Sequence, residues 1–237
     1  AIDIGNGALV ATVTGVELNL ATMDVTDGTT TLTGADILSF TGTASLFAGV
    51  GGSLNGAHTA VVNGTIGFAV NSVSLSLVSA TGALTDGANA GDSYVGVSVA
   101  LSDAQLIGVS GFELYASGTL KLNSASDGVT GLALTPRMNW TLATALANDP
   151  DGLLTDLDIL AAVALQVTGQ AAIDIGNGAL VATVSGVTLN LATMDVTDGV
   201  TTLTGADILP ILPDLARLLR LQQRPQRGQP RNRFRRA

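Results

Sequence analysis

Apolar and polar positions alternate with period two along most of this chain. In Val70-Asn71-Ser72-Val73-Ser74-Leu75-Ser76-Leu77-Val78 the residues Val73, Leu75 and Leu77 point one way while Ser72, Ser74 and Ser76 point the other. The runs Val16-Glu17-Leu18-Asn19-Leu20 and Thr119-Leu120-Lys121-Leu122-Asn123 repeat the pattern. Such runs predict strands with one apolar and one polar face. Between them stand Asn6-Gly7, Asp27-Gly28, Asp86-Gly87, Asp127-Gly128, Asp151-Gly152 and Asp198-Gly199, dipeptides that accept the positive φ of tight hairpin turns. The expected fold is all-β: an elongated antiparallel sheet, a sandwich or a solenoid-like repeat module. Small side chains on both faces favour tightly spaced layers or a long sheet over a bulky core.

A near-exact repeat sets the organisation. AIDIGNGALVATVTGVELNLATMDVTDGTTTLTGADIL at residues 1–38 returns at 172–209 with changes only at Thr14/Ser185, Glu17/Thr188 and Thr29/Val200. Identity that extends to surface positions points to tandem duplication. The offset of 171 residues is far longer than the roughly 20–50 residues of common solenoid units, so each unit should hold several strands. Residues 1–171 therefore read as one full unit, 172–209 as the start of the next, and 210–237 as an Arg-rich tail. The chain opens on Ala1-Ile2-Asp3 with no leader in view and reads as a fragment.

Charge divides along the same line. Residues 1–209 carry 18 acids against Lys121 and Arg137, so 2 − 18 = −16, whereas the tail carries eight Arg against Asp214, so 8 − 1 = +7. An acidic body of this kind repels nucleic acid and anionic membranes. Downstream of Leu209 the composition turns abruptly to Arg, Gln, Pro and Leu, as in a GC-rich reading frame that has shifted. The tail is expected to be disordered or frameshift-derived, and any helix is expected only there, from Asp214 as N-cap to about Leu221. Between Ile37 and Thr85 the only ionisable side chain is His58, yet Ser, Thr, Asn and Gly interrupt every apolar run, which argues against a membrane-spanning helix. With aromatic residues at 3% of the chain, the girdles of an outer-membrane barrel cannot be built.

Candidate chemistry is sparse. Cysteine is absent and His58 is the single imidazole, which excludes the usual zinc ligand sets; standing in the turn Asn55-Gly56-Ala57-His58-Thr59, it reads as a turn or surface histidine rather than as the base of a nucleophile. Gly49-Val50-Gly51-Gly52 opens no helix, so a phosphate-binding loop is unsupported. The turn carboxylates Asp149, Asp151, Asp156 and Asp158 are weak calcium candidates, with Asp24/Asp27 and Asp195/Asp198 behind them. None follows EF-hand or calcium β-roll spacing, and solvated turn aspartates explain them more simply. Trp140 is better read as the largest core side chain than as a sugar-stacking platform.

The run SYVGVSVALSDAQLIGVSGFELYASGTLKLN (Ser93–Asn123), followed by Arg137-Met138-Asn139-Trp140 and then by a second GADIL segment, resembles the long tandem repeats of giant secreted or surface-associated, adhesin-like bacterial proteins. The resemblance implies an extracellular or cell-surface location, neighbouring repeats of the same chain as partners, surface glycans as a further partner, and a stalk, spacer or adhesive role without catalysis. The alternative is a glycan- or lipid-binding β-module. A continuous apolar trough would favour that alternative, and a closed, filled core the stalk.

Overall fold

The computed structural model of the protein describes residues 1–197 and 199–208. Its strands in chain order are β1 (Ile2–Ile4), β2 (Leu9–Thr26), β3 (Thr31–Val50), β4 (Ser53–Leu54), β5 (Val61–Val62), β6 (Ile66–Thr81), β7 (Ser93–Ile107), β8 (Phe112–Ser126), β9 (Val163–Ile175), β10 (Leu180–Thr197) and β11 (Thr202–Ile208). Nine of them form one open sheet in the order β1-β2-β3-β6-β7-β8-β9-β10-β11, and β4 and β5 make a separate small hairpin. Every pairing is antiparallel. The expected elongated antiparallel sheet is therefore the architecture, and among the described residues no second sheet lies against it as a sandwich layer.

The strands are long, up to 20 residues in β3, against a usual length of about 5–6. No Asp-Gly or Asn-Gly pair falls within them, and the alternation resumes past the β-bulges that interrupt it, as at Thr14/Glu17 and Met23/Val25 in β2. Asn6-Gly7 and Asp27-Gly28 close the β1–β2 and β2–β3 connections as the turn chemistry predicts, and Gly28 takes φ +85°. Asp127-Gly128 and Asp151-Gly152 do not close hairpins. They lie in the 36-residue connection between β8 and β9, residues 127–162.

Registers show two unlike faces. Leu18, Phe40, Leu77, Val97, Leu122 and Leu165 stand directly opposite one another from strand to strand. One step along, Leu75, Val99, Leu120, Val167 and Leu189 do the same. The intervening row on the other face is Glu17, Thr41, Ser76, Ser98, Lys121 and Gln166. One face is thus aliphatic and the other polar in mid-sheet, because the side-chain period is two.

The duplicated segment recurs in structure. Ile2↔Ala11, Asp3↔Val10 and Ile4↔Leu9 return as Ile173↔Ala182, Asp174↔Val181 and Ile175↔Leu180. Thr22↔Asp36 and Val25↔Leu32 return as Thr193↔Asp207 and Val196↔Leu203, with the same register shift between Met23 and Val25 as between Met194 and Val196. Even the turn hydrogen bond repeats: Gly7 N–H donates to Asp3 Oδ1 at 2.8 Å and Gly178 N–H to Asp174 Oδ1 at 2.7 Å. β1 therefore matches the C-terminal end of β9 in sequence and in register.

One expectation is corrected. Helix was expected only in the tail, yet a single α-helical turn, α1 (Trp140–Ala143), lies in the β8–β9 connection, and a 3-10 turn covers Gly87–Asn89. Burial of Trp140 against the sheet holds α1 in place, a tertiary effect that local propensity does not report. The anticipated Asp214–Leu221 helix lies outside the described residues, as does Asp198. Among the described residues no helix is long and apolar enough to cross a membrane.

Candidate functional site: the cap and its seam

Residues 127–162 fold back over the polar-side face at one end of the sheet and bury the principal core. Met138, Trp140, Ala143, Leu154, Leu157 and Ile159 from this cap pack with Val25, Leu32, Ala35, Ile37, Val78, Ala80, Tyr94 and Ala125 from five strands. Here the polar row gives way to apolar residues on the same face. The sheet therefore carries a dry patch where the cap lands, a second small one around Val10, Phe47 and Ala69 toward its other end, and a hydrophilic surface between them.

Trp140 is fully buried. Its indole lies against Gly96, where an added Cβ would stand 2.6 Å from Trp140 Nε1 and 2.8 Å from Leu157 Cδ1. Glycine is required at this position by the indole above it. The indole N–H donates to Asn123 Oδ1 at 3.1 Å, and Asn123 Nδ2 donates in turn to the carbonyls of Met138 at 2.9 Å and Leu160 at 3.2 Å. Thr144 continues the network: its hydroxyl donates to Trp140 O at 2.8 Å and accepts from Leu157 N–H at 3.1 Å. Each buried polar atom in this chain of contacts has a partner, as burial demands.

Asp27 ties the hairpin turn to the cap. Its Oδ1 accepts the N–H of Thr29 at 2.8 Å and of Thr30 at 2.7 Å, and its Oδ2 accepts Asn139 N–H at 2.7 Å. The side chain is buried although it sits in a turn. Tyr94 beneath the cap is held above the ordinary tyrosine range, first by burial and then by the nearby charges of Asp92 and Asp27.

Where the cap meets β2 and β3 a partly open cleft of about 330 Å³ remains, lined by Glu17, Asn19, Ser39, Thr41, Thr144, Asp149, Thr155 and Asp156 with Leu146, Leu154 and Gly152. Asn19 Nδ2 donates to Leu153 O at 3.0 Å, and Thr155 N–H donates to Ser39 Oγ at 2.8 Å, which stitches the seam shut on either side. The cleft offers hydroxyls and carboxylates but no imidazole or thiol, and its exposed acids make it a hydrated groove.

The four calcium candidates do not converge. Asp149 is buried, with Oδ1 and Oδ2 taken up by the N–H groups of Leu153 at 3.0 Å and Leu154 at 2.7 Å. It is a loop-closing residue. Asp158 pairs with Lys121 Nζ at 2.9 Å, and that ammonium holds its carboxyl below the usual range. Asp151 and Asp156 are exposed. Among the described residues no three acids, histidines or cysteines stand together in a way that would hold a metal ion. Asp24 accepts Gly34 N–H at 2.7 Å rather than joining Asp27 at a common point. The side chain of Asp195, like all of Asp198, lies outside the described residues. His58 occupies a turn at φ +57° between β4 and β5, away from the seam.

Sequence reasoning missed Asp27, Asp92 and Asn123 as buried polar residues. The available signal was the loss of alternation after Ser126, together with the only tryptophan of the chain, which marks a segment folding onto the sheet rather than extending it. No protein-family model, curated protein or solved structure matches this chain.

Proposed function

We propose that this protein is a structural module of a large extracellular or cell-surface protein, in which tandem 171-residue units merge edge to edge into one continuous β-sheet that serves as a stalk or spacer, with no catalytic role. The observation that carries this reading is the recurrence of register. From β2 to its duplicate β10 the sheet advances by six strands, β2, β3, β6, β7, β8 and β9. Six is even, so β10 runs in the direction of β2 and the pattern can continue indefinitely. The unit junction falls inside strand β9, whose last residues repeat β1, so adjoining units share a strand instead of meeting through a linker.

Burial supports the same reading. Val10 is fully buried opposite Phe47, while its duplicate Val181 is 60% exposed and has no described strand on that side. A following unit that supplies a β3-type strand in full would bury it. An acidic, Ser/Thr-rich polar face suits a hydrated exterior and contact with surface glycans. The second reading, a β-module that binds lipid through apolar surface, draws on the uncovered aliphatic face.

At about 4.8 Å between strands, six strands amount to about 29 Å per unit. Polypeptides of one, two and three 171-residue periods, measured by small-angle scattering and electron microscopy, should lengthen by about 29 Å per added period and stay rigid. Separate beads on flexible connections would reject the proposal.

A further inference from the structure

The aliphatic face has no cover. The cap and the β4–β5 hairpin both lie on the opposite side, so Leu18 and Leu122 are exposed and Leu77, Val97 and Leu165 only half-buried. From this face we infer that two copies of the chain associate with their aliphatic sheet faces opposed, as the two layers of a β-sandwich.

Area is the first argument. From β2 to β10 the face is about 29 Å wide, and five successive apolar rows, from that of Leu18, Phe40 and Leu77 to that of Ala48, Phe68 and Leu106, each about 6.8 Å from the next, give it about 27 Å along the strands. The projected area is on the order of 800 Å², the amount each partner buries in a standard stable interface. A patch this large is unusual on a protein that stays monomeric.

Charge is the second. The first three of these rows contain no ionisable side chain: beside the aliphatic residues they hold Phe40, Ala44 and glycines at 42, 118 and 169. Two copies of a body with net charge −16 can therefore meet on this face without burying a charge, their acids remaining in turns and on the polar face. A membrane surface is disfavoured as the occupant, because the rows lack the Lys, Arg, Trp and Tyr that anchor interfacial faces. Opposed sheets about 10 Å apart would interdigitate these side chains as sandwich cores do.

The test is the mass of the intact chain by sedimentation equilibrium and light scattering, at low and high salt. The inference expects twice 23.7 kDa at both, with Leu120→Lys/Leu122→Lys monomeric at an unchanged far-ultraviolet β spectrum and Ser76→Lys/Ser98→Lys, on the other face, still dimeric. Because the chain has no cysteine, a single Leu122→Cys substitution supplies a unique spin label. Label-to-label distances of about 10–20 Å would place the two faces together. A monomeric wild type overturns the inference, and so does a dimer that dissolves in salt, since that would be held by the Arg-rich tail. So do dimers that the Leu→Lys pair leaves intact, labels farther apart than the opposed faces allow, or dissociation on adding phosphatidylcholine vesicles, which would make the face a lipid site. The outcome is independent of whether tandem units add in 29 Å steps.

Discussion

Trp140→Ala should lower the free energy of unfolding by about 3–5 kcal/mol, the range seen when a buried aromatic is truncated in a core that cannot collapse around the gap. The cap is a loop with a single helical turn, so it has little backbone pairing of its own with which to close a cavity. Loss of the indole also strands Asn123 Oδ1, an acceptor buried beneath the cap, at a further cost of about 1–3 kcal/mol. Gly96→Ala should act from the sheet side, because its new Cβ would lie 2.6 Å from Trp140 Nε1 and must lift the cap. Chemical denaturation checks both variants, followed by far-ultraviolet circular dichroism for Trp140→Ala, which has no tryptophan left, and by tryptophan fluorescence for Gly96→Ala. Since Trp140 is the only tryptophan, its emission in Gly96→Ala reports cap position directly, and a red shift before global unfolding is the expected sign. If either variant unfolds at the wild-type midpoint, the cap is not the main core.

The second large effect is expected at Asp27. Its carboxylate receives three backbone N–H groups, two from its own turn and one from Asn139 in the cap. Asp27→Ala leaves all three without that acceptor at a part-buried site, with a destabilisation of about 2–4 kcal/mol, less than three full desolvation penalties because Thr29 is exposed and the turn can rearrange toward water. Asp27→Asn keeps the shape and one acceptor oxygen and should recover part of the loss. Thermal unfolding gives the size of the effect. Amide exchange locates it: Thr29, Thr30 and Asn139 should lose protection together in Asp27→Ala, whereas loss confined to the hairpin would mean that the tie to the cap contributes nothing.

Much of the sheet was legible in the sequence, for a physical reason. Where Val73, Leu75 and Leu77 alternate with serines, one pattern fixes both the strand and its faces, and Asp27-Gly28 or Asn6-Gly7 fixes where the chain reverses. The duplicated 38 residues gave the repeat distance directly. The cap was illegible because its structure is tertiary. Trp140 forms a helical turn only because Gly96 leaves room for its ring, and neither residue announces the other across 44 positions of sequence. Asp127-Gly128 and Asp151-Gly152 carry the same dipeptide as the true hairpin turns, so turn chemistry alone could not separate a loop inside the cap from a strand reversal. From sequence the aspartates near 150 look like solvated turn carboxylates. Asp149 is instead consumed by the amides of its own loop, and Asp158 by a lysine 37 residues away.

The central claim, that successive units continue one sheet in one register, can be tested within the chain itself. Residues 12–20 of β2 pair with β3 on one side and have no described partner on the other, while residues 183–191 of β10 pair with β9 and lack a described partner on the side that β3 occupies in the first copy. The two segments are nearly identical in sequence, so their intrinsic exchange rates match almost residue for residue. In an antiparallel strand alternate amides face opposite edges. Residue-resolved hydrogen exchange should therefore show every second amide protected in both segments, with the protected set in β10 being the duplicates of those that exchange quickly in β2. The same set protected in both copies, or no protection in β10, would contradict the shared-strand junction and with it the continuous sheet.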